Sequence, residues 1–156
     1  MTKTPATNKN KALQNNDDDI AAPESDYLYC QISQVKNAGK GLFTAIKIYK
    51  EEVIAKFEGE ILSPAEAKLR EHKGDDKYFI MMIDGSTMDS MNTACFAKYA
   101  NDAEGLSKSK FKNNATIALD ENHKVCLIAK RNIKAGEEIF CSYGKRYWKK
   151  HKYEMM

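Results

Sequence analysis

Long apolar runs are missing from this 156-residue sequence. None approaches the roughly 20 residues that a membrane-spanning helix needs, and the opening MTKTPATNKNK lacks the apolar stretch of a signal peptide. We therefore expect an intracellular protein that makes no contact with a membrane. At this length the chain has room for one domain with one hydrophobic core.

Closely spaced metal ligands are missing as well. No two of the four cysteines lie within three residues of each other, and the three histidines are far apart in polar surroundings. We therefore predict no metal site, and the free thiols fit a reducing compartment. Glycine-rich phosphate-binding motifs are also absent, which argues against a doubly wound nucleotide-binding fold.

An excess of one charge is also lacking, since the formal net charge is only +3. That value is too small to indicate nucleic-acid binding by itself. Basic residues concentrate near the end of the chain, where we predict a basic tail over residues 149–156. This tail is either simply solvated or attracts a nucleosome, an acidic peptide or another polyanion, without specific recognition of nucleic acid.

The first 26 residues are polar and almost free of large apolar groups. Such a segment cannot bury enough surface to offset the entropy lost on ordering, so we predict a flexible arm over 1–26. A folded domain is predicted over 27–148.

Short runs rich in aromatic and β-branched residues dominate this domain and predict strands. One helix is well signalled: Ser63 can cap it, Pro64 suits its first position, Glu66 completes a capping box and Gly74 can end it. A weaker helix is predicted over 92–100. The fold class is therefore mainly β (α+β) with one or two short helices. The predicted strands span 27–35, 53–57, 78–83, 116–119, 125–129 and 138–141. The polar link at 120–123 between two of them predicts a hairpin.

Three segments stand out as possible functional motifs. In NAGKGLF (37–43), two glycines bracket one residue, which lets a backbone approach a ligand closely, although a plain turn explains the pattern equally well. FEGE (57–60) and GEEIFCSYG (136–144) each read as a strand end beside a glycine. None of the three is specific when taken alone.

In this order and spacing, the three segments resemble the SET domain of protein-lysine methyltransferases. Two further segments fall in the places that the family pattern requires. Tyr78-Phe79 is similar to its channel strand, and FAKYAND (96–102) with NNA (113–115) is similar to its Arg-Phe-Ile-Asn-His and Pro-Asn-Ala steps. The resemblance covers about 27–148. It implies a β-clip fold in which the C-terminal strand threads under the loop near Asn101 as a pseudoknot.

The resemblance also implies S-adenosylmethionine as cofactor and assigns roles to individual residues. Tyr143 takes the catalytic position, and Tyr78 joins it in the active site by lining the channel through which a substrate lysine enters from the opposite face. Cys141 and Tyr147 are implied as further channel residues. The implied cofactor-binding residues are Gly39, Lys40, Gly41, Leu42, Asn101, Asp102, Tyr143 and Trp148.

The chemistry of methyl transfer agrees with this assignment. Transfer from a sulfonium to an amine is an in-line displacement, so the main task is to align nitrogen, carbon and sulfur. A free lysine has a pKa of about 10.4 and is mostly protonated, but an apolar channel facing a cationic sulfonium disfavours the ammonium form. Tyrosine hydroxyls and carbonyl groups can then orient the neutral amine.

The sequence departs from the family pattern at three points. Asn101-Asp102 replaces an Asn-His pair, and no three-cysteine zinc segment follows Trp148. Tyr147-Trp148 is then the candidate cover for the cofactor, with packing at the domain edge as the alternative. Cys141 stands where a tyrosine or phenylalanine helps to set the number of methyl groups added. Because cysteine is smaller, we predict methylation beyond the monomethyl state.

The leading hypothesis is a protein-lysine N-methyltransferase that acts on a histone tail in chromatin, with nuclear residence or delivery into a host cell. One alternative is a SET-like binding module with little or no activity. Another is a methyltransferase for a non-histone protein.

Overall fold

The computed structural model describes residue 20 and residues 22–82, 84–105 and 109–143. Within these ranges the chain forms nine short strands and one α-helix, together with 3-10 turns at Glu24–Asp26 and Ala97–Tyr99. The elements are β1 (Leu28–Ile32), β2 (Lys40–Thr44), β3 (Val53–Lys56), β4 (Glu60–Leu62), α1 (Pro64–His72), β5 (Phe79–Met81), β6 (Thr87–Asp89), β7 (Ala115–Leu119), β8 (Val125–Ala129) and β9 (Glu138–Ile139).

The described strands form three small antiparallel sheets, in the orders β1-β2-β9, β3-β8-β7 and β4-β6-β5. The prediction of a mainly β fold with a short helix is therefore confirmed. The hairpin predicted at residues 120–123 joins β7 and β8, where the Asp120 carboxylate accepts hydrogen bonds from the backbone N–H groups of Asn122 and Lys124. None of the helices in the described residues is long and apolar enough to cross a membrane.

Helix α1 begins where the capping residues predicted it. The Ser63 hydroxyl accepts a hydrogen bond of 3.2 Å from the backbone N–H of Glu66, and Pro64 occupies the first helical position. Gly74 follows the helix in the left-handed region, with φ of +79°. No side chain of the helix is buried, so Arg70 secures it through ion pairs with the neighbouring sheet.

The prediction of a second helix over 92–100 was wrong. The structure has only a 3-10 turn there, at Ala97–Tyr99. Instead, the ammonium group of Lys98 stabilises the non-helical loop before this turn by donating hydrogen bonds to its backbone carbonyls. Its acceptors are the carbonyl oxygens of Ser90, Met91 and Thr93, at 3.1, 3.3 and 3.0 Å.

The hydrophobic core lies between the sheets and draws on strands from two of them. Leu42 of β2, Ile54 of β3, Leu127 of β8 and Ile139 of β9 are all fully buried.

Part of the predicted N-terminal arm is in contact with the folded domain. The Glu24 carboxylate accepts a hydrogen bond of 2.9 Å from the backbone N–H of Lys56.

The chain end that follows β9 passes between two other segments. Phe140 pairs in parallel with Asn101, and Cys141 pairs in parallel with Ala115. The backbone N–H of Cys141 donates to the Asn101 carbonyl at 2.9 Å, and Ala115 donates to the Phe140 carbonyl at 2.9 Å. This crossing is the arrangement that the predicted pseudoknot requires, and it brings residues 101, 114 and 141 to one place.

Candidate active site

A cavity of about 200 Å³ opens where the chain leaves β9. Three of the predicted site residues, Tyr78, Cys141 and Tyr143, line it together. Apolar side chains form much of the remaining wall, so the cavity suits a slender apolar chain that ends in a polar group. These apolar residues include Phe57, Ile80, Ala97, Ala100 and Ile117.

Tyr143 is fixed at both its backbone and its side chain. Its phenol hydroxyl donates a hydrogen bond of 2.8 Å to the carbonyl oxygen of Ala100. Its backbone N–H donates to the carboxylate of Asp102 at 2.9 Å. These two contacts hold the phenol at the cavity wall in one orientation.

Asp102 is buried, with 6% of its surface exposed, and joins three segments. Besides the hydrogen bond from the backbone N–H of Tyr143, its carboxylate accepts one from the backbone N–H of Glu104 at 2.9 Å and one from the side-chain amide of Asn113 at 3.0 Å. The carboxylate thus stabilises the crossing of the C-terminal segment. A histidine at this position has at most one acceptor nitrogen, so the carboxylate supports more hydrogen bonds there.

Asn101 brings the glycine-rich turn to the crossing. Its side-chain amide donates a hydrogen bond of 2.9 Å to the carbonyl oxygen of Lys40. Gly39 lies in the left-handed region, with φ of +71°, and a Cβ at that position would meet no atom within 4 Å. The turn therefore faces open space, as a ligand-binding turn must. The side chain of Leu42 is in the core, so only its backbone is available to a ligand.

Gly41 is required for a reason other than the one that the sequence indicated. A Cβ at this position would overlap the carboxylate of Glu138. Glu138 has 1% of its surface exposed and accepts hydrogen bonds from the Ser33 hydroxyl at 2.6 Å and from the Gln34 backbone N–H at 2.8 Å. Burial raises the pKa of this carboxyl, against the opposing effect of its hydrogen bonds.

Glu138 was not among the predicted site residues, because the sequence indicated only that it begins the predicted strand 138–141. The signal was its position next to Ile139 inside an apolar strand, since a carboxylate buried in a strand needs hydrogen-bond donors from another segment. The partners themselves could not be read from the sequence, because Ser33 is 105 positions away.

Lys98 was also missed, and it lines the same cavity as Tyr78. Its ammonium nitrogen lies 5.4 Å from the centre of the Tyr78 ring and 5.4 Å from that of Tyr99. Burial raises the pKa of the Tyr78 phenol, while the nearby Lys98 charge opposes that shift. The Tyr78 hydroxyl is therefore neutral at physiological pH and can act as a hydrogen-bond donor.

Cys141 is buried, and that burial raises the pKa of its thiol to about 12. A thiol with this pKa is neutral and unreactive at physiological pH, so it contributes shape to the cavity wall. Tyr147, Trp148 and the basic tail lie outside the described residues. Among the residues that the structure does describe, no group of three acidic, cysteine or histidine side chains could hold a metal ion.

Comparison with known proteins gives matches of sequence and of fold. The family model of the SET domain matches residues 39–144. The histone-lysine N-methyltransferase EZH2 of Chaetomium thermophilum is 27% identical over 128 residues, and the match covers 74% of this chain and 8% of that protein. The histone-lysine N-methyltransferase mes-2 of Caenorhabditis elegans is 30% identical over 118 residues, covering 74% of this chain and 15% of that protein. The chain thus spans only a small part of the length of these relatives.

Solved structures of similar fold come from assemblies. An active polycomb repressive complex 2 in the basal state matches with a TM-score of 0.66 and 27% identity, over 80% of this chain and 16% of that one. The Chaetomium complex in an autoinhibited conformation bound to S-adenosylmethionine matches with a TM-score of 0.65 and 26% identity, over 81% of this chain and 17% of that one.

Proposed function

This chain belongs to the SET domain family, and from that membership we propose that it is a protein-lysine N-methyltransferase that uses S-adenosylmethionine. The observation that carries the proposal is the fixed phenol of Tyr143. Its hydroxyl is held against Ala100 at the wall of a narrow cavity that Tyr78 also lines. The relatives that match this chain are histone-lysine N-methyltransferases, which supports the same reaction.

The cavity supports the substrate side of this reaction. An aliphatic chain of lysine fits a slender apolar space, and removing the ammonium from water favours the neutral amine that can attack a methyl group. The hydroxyls of Tyr78 and Tyr143 can orient that amine. The proton that the amine gives up leaves to solvent before the methyl group is transferred.

The proposed binding site for the cofactor is the turn around Gly39 together with Asn101. The hydrogen bond from Asn101 to the Lys40 carbonyl holds the turn beside the C-terminal crossing, and the space next to Gly39 is open. When bound, S-adenosylmethionine supplies the methyl group as a sulfonium. We assign its binding to Gly39, Lys40, Gly41, Leu42, Asn101, Asp102, Tyr143 and Trp148.

The number of methyl groups follows from which hydroxyls reach the amine. Cys141 together with Phe57 and Ile117 contributes no hydroxyl to the cavity wall. Because position 141 adds no further hydroxyl and bound water to the hydroxyls of Tyr78 and Tyr143, a methylated nitrogen has room to rotate and accept another methyl group. The proposed enzyme therefore proceeds beyond monomethylation, with Tyr78 lining the channel and Tyr147 assigned to it from the family resemblance alone.

The proposed substrate is a lysine in a histone tail, with action in chromatin and residence in the nucleus. The names of the two relatives support histones as the substrate class. A non-histone protein substrate is the second candidate within the same chemistry.

The test is transfer of a labelled methyl group from S-adenosylmethionine to purified core histones, nucleosomes and ribosomal proteins in parallel, together with calorimetric measurement of cofactor binding. Label on a histone lysine supports the proposal. Label only on ribosomal proteins would move the substrate to the non-histone class. Cofactor binding without transfer to any of them, or no binding at all, would favour a SET-like binding module and contradict the proposed activity.

A further inference from the structure

The buried carboxylate of Glu138 connects β9 to the segment 33–41, which contains the glycine-rich turn. It accepts hydrogen bonds from the Ser33 hydroxyl and the Gln34 backbone N–H, both at the start of the turn. It also fills the space next to Gly41, at the end of the turn, where no Cβ would fit. One buried side chain therefore contacts both ends of the segment that closes on Gly39.

Ser33 extends this contact into the turn. Its backbone N–H donates to the Gly39 carbonyl at 2.8 Å, and its hydroxyl accepts a hydrogen bond from the Val35 backbone N–H at 3.0 Å. The hydroxyl that donates to Glu138 is thus held by the turn itself. Moving the carboxylate would release Ser33 and, with it, the conformation of the turn around Gly39.

The hydrogen bonds of Glu138 come from neutral groups. They are donated by the Ser33 hydroxyl and the Gln34 backbone N–H. None of these donors carries a positive charge, so they solvate the carboxylate without balancing it. A buried carboxylate of this kind is stabilised when a cation arrives nearby.

We propose that Glu138 is a positioning residue for the cofactor turn, and that its charge makes the turn prefer a cationic sulfonium to a neutral thioether. The inference rests on the proposed function, because that function places the cofactor against the backbone of Lys40 and Gly41. S-adenosylmethionine and S-adenosylhomocysteine differ in the one positive charge at sulfur. A fixed negative charge beneath the turn therefore retains the substrate form and helps to release the product form.

A purely structural role predicts something different. If Glu138 only held the turn, its loss would weaken both ligands by the same factor. The charge effect instead predicts unequal weakening, because Coulomb attraction acts on the sulfonium alone. The ratio of the two dissociation constants therefore separates the two roles.

The experiment is calorimetric titration of S-adenosylmethionine and S-adenosylhomocysteine into the wild-type chain, Glu138→Gln, Glu138→Asp and Ser33→Ala, with thermal unfolding of each variant as a check of folding. We expect Glu138→Gln to weaken S-adenosylmethionine by about tenfold and the thioether by clearly less. Equal weakening of both ligands, or none, would overturn the inference.

The other two variants keep the test decisive if Glu138→Gln does not fold. Glu138→Asp keeps the charge, so the preference for the sulfonium should persist even if both ligands bind more weakly; a lost preference would contradict the charge effect. Ser33→Ala should weaken both ligands at an unchanged ratio, and unaltered binding would contradict the positioning role. A wild-type chain that binds neither ligand would instead refute the proposed function.

Discussion

The backbone N–H of Tyr143 donates a hydrogen bond of 2.9 Å to the buried carboxylate of Asp102. The same carboxylate binds the backbone of Glu104 and the side chain of Asn113. A residue that replaces the histidine of the family pattern therefore fixes the catalytic candidate through its backbone. The replacement keeps the crossing intact with a different chemical group.

Removing this carboxylate should destabilise the fold. Asp102→Ala leaves the donors from Tyr143, Glu104 and Asn113 without their acceptor, and we expect a loss of about 3 kcal/mol in the free energy of unfolding. Urea denaturation measures it. The matched control is Asp75→Ala at an exposed position, with an expected change below about 0.5 kcal/mol. Equal effects of the two substitutions would show that the carboxylate does not hold the crossing.

The hydrogen bonds from the Lys98 ammonium group to three backbone carbonyls give a second prediction. Lys98→Met removes an ammonium that donates to three backbone carbonyls, and we expect a loss of about 2 kcal/mol in unfolding free energy together with a reduced kcat/KM. Lys98→Arg should restore part of both. Lys77→Met is the control, because Lys77 also lines the cavity and lies over the Tyr78 ring at 5.6 Å. If Lys77→Met lowers the unfolding free energy and kcat/KM as much as Lys98→Met does, the hydrogen bonds of Lys98 to the carbonyls are not the cause.

We expect the number of methyl groups added to depend on the residue at position 141. Cys141→Tyr places a hydroxyl beside the substrate amine, and we expect the products to shift from di- and trimethyllysine toward monomethyllysine. Mass spectrometry of the methylated peptide measures the distribution at equal turnover. Cys141→Ala, which adds no hydroxyl, serves as the control and should leave the distribution unchanged. A wild-type enzyme that makes only monomethyllysine on a good substrate would refute the account of Cys141.

The pKa of Glu138 predicts a pH dependence of stability. Burial raises this pKa above the ordinary value of 4.5, so the unfolded chain ionises first as pH rises. The contribution of Glu138 to stability is full below 4.5 and is lost as pH rises through the folded-state pKa. The stability of the wild type relative to Glu138→Gln should therefore fall as pH rises above 4.5, as measured by urea denaturation at each pH.

Asp84 supplies a control of opposite sign. Hydrogen bonds from the Ser86 hydroxyl and backbone N–H lower the pKa of Asp84 below its ordinary value of 3.8. Its contribution is present above 3.8 and is lost as pH falls through the folded-state pKa. Relative to Asp84→Asn, the wild type should lose stability only in acid. Parallel slopes for the two variants would contradict the assigned causes.

Local signals in the sequence were enough to predict some elements. Helix α1 depends on contacts between neighbours, such as Ser63 with Glu66, and the turn at Asp120 depends on its own backbone. Strands β2, β4 and β6 were not predicted. β4 and β6 have only three residues each, and their pairing partners, which lie elsewhere in the chain, determine them.

In the site, too, some residues could be predicted from the sequence and others could not. The resemblance to a family was enough to predict that Tyr78, Cys141 and Tyr143 belong together, and the structure places them around one cavity. Glu138 and Lys98 were missed, because their roles depend on partners that folding brings close. The buried pairing of Glu138 with Ser33 spans 105 positions and leaves no local pattern.

The most direct test of the central claim is the rate of methyl transfer to histones by Tyr143→Phe, compared with the wild type and with Tyr29→Phe. Tyr29 stacks on Phe43 with ring centres 5.7 Å apart and is not among the cavity-lining residues, so Tyr29→Phe removes a phenol hydroxyl elsewhere. We predict a loss on the order of 100-fold in the rate at saturating cofactor for Tyr143→Phe, and near wild-type rates for Tyr29→Phe. Wild-type rates for Tyr143→Phe would contradict the assignment of Tyr143 as the catalytic residue.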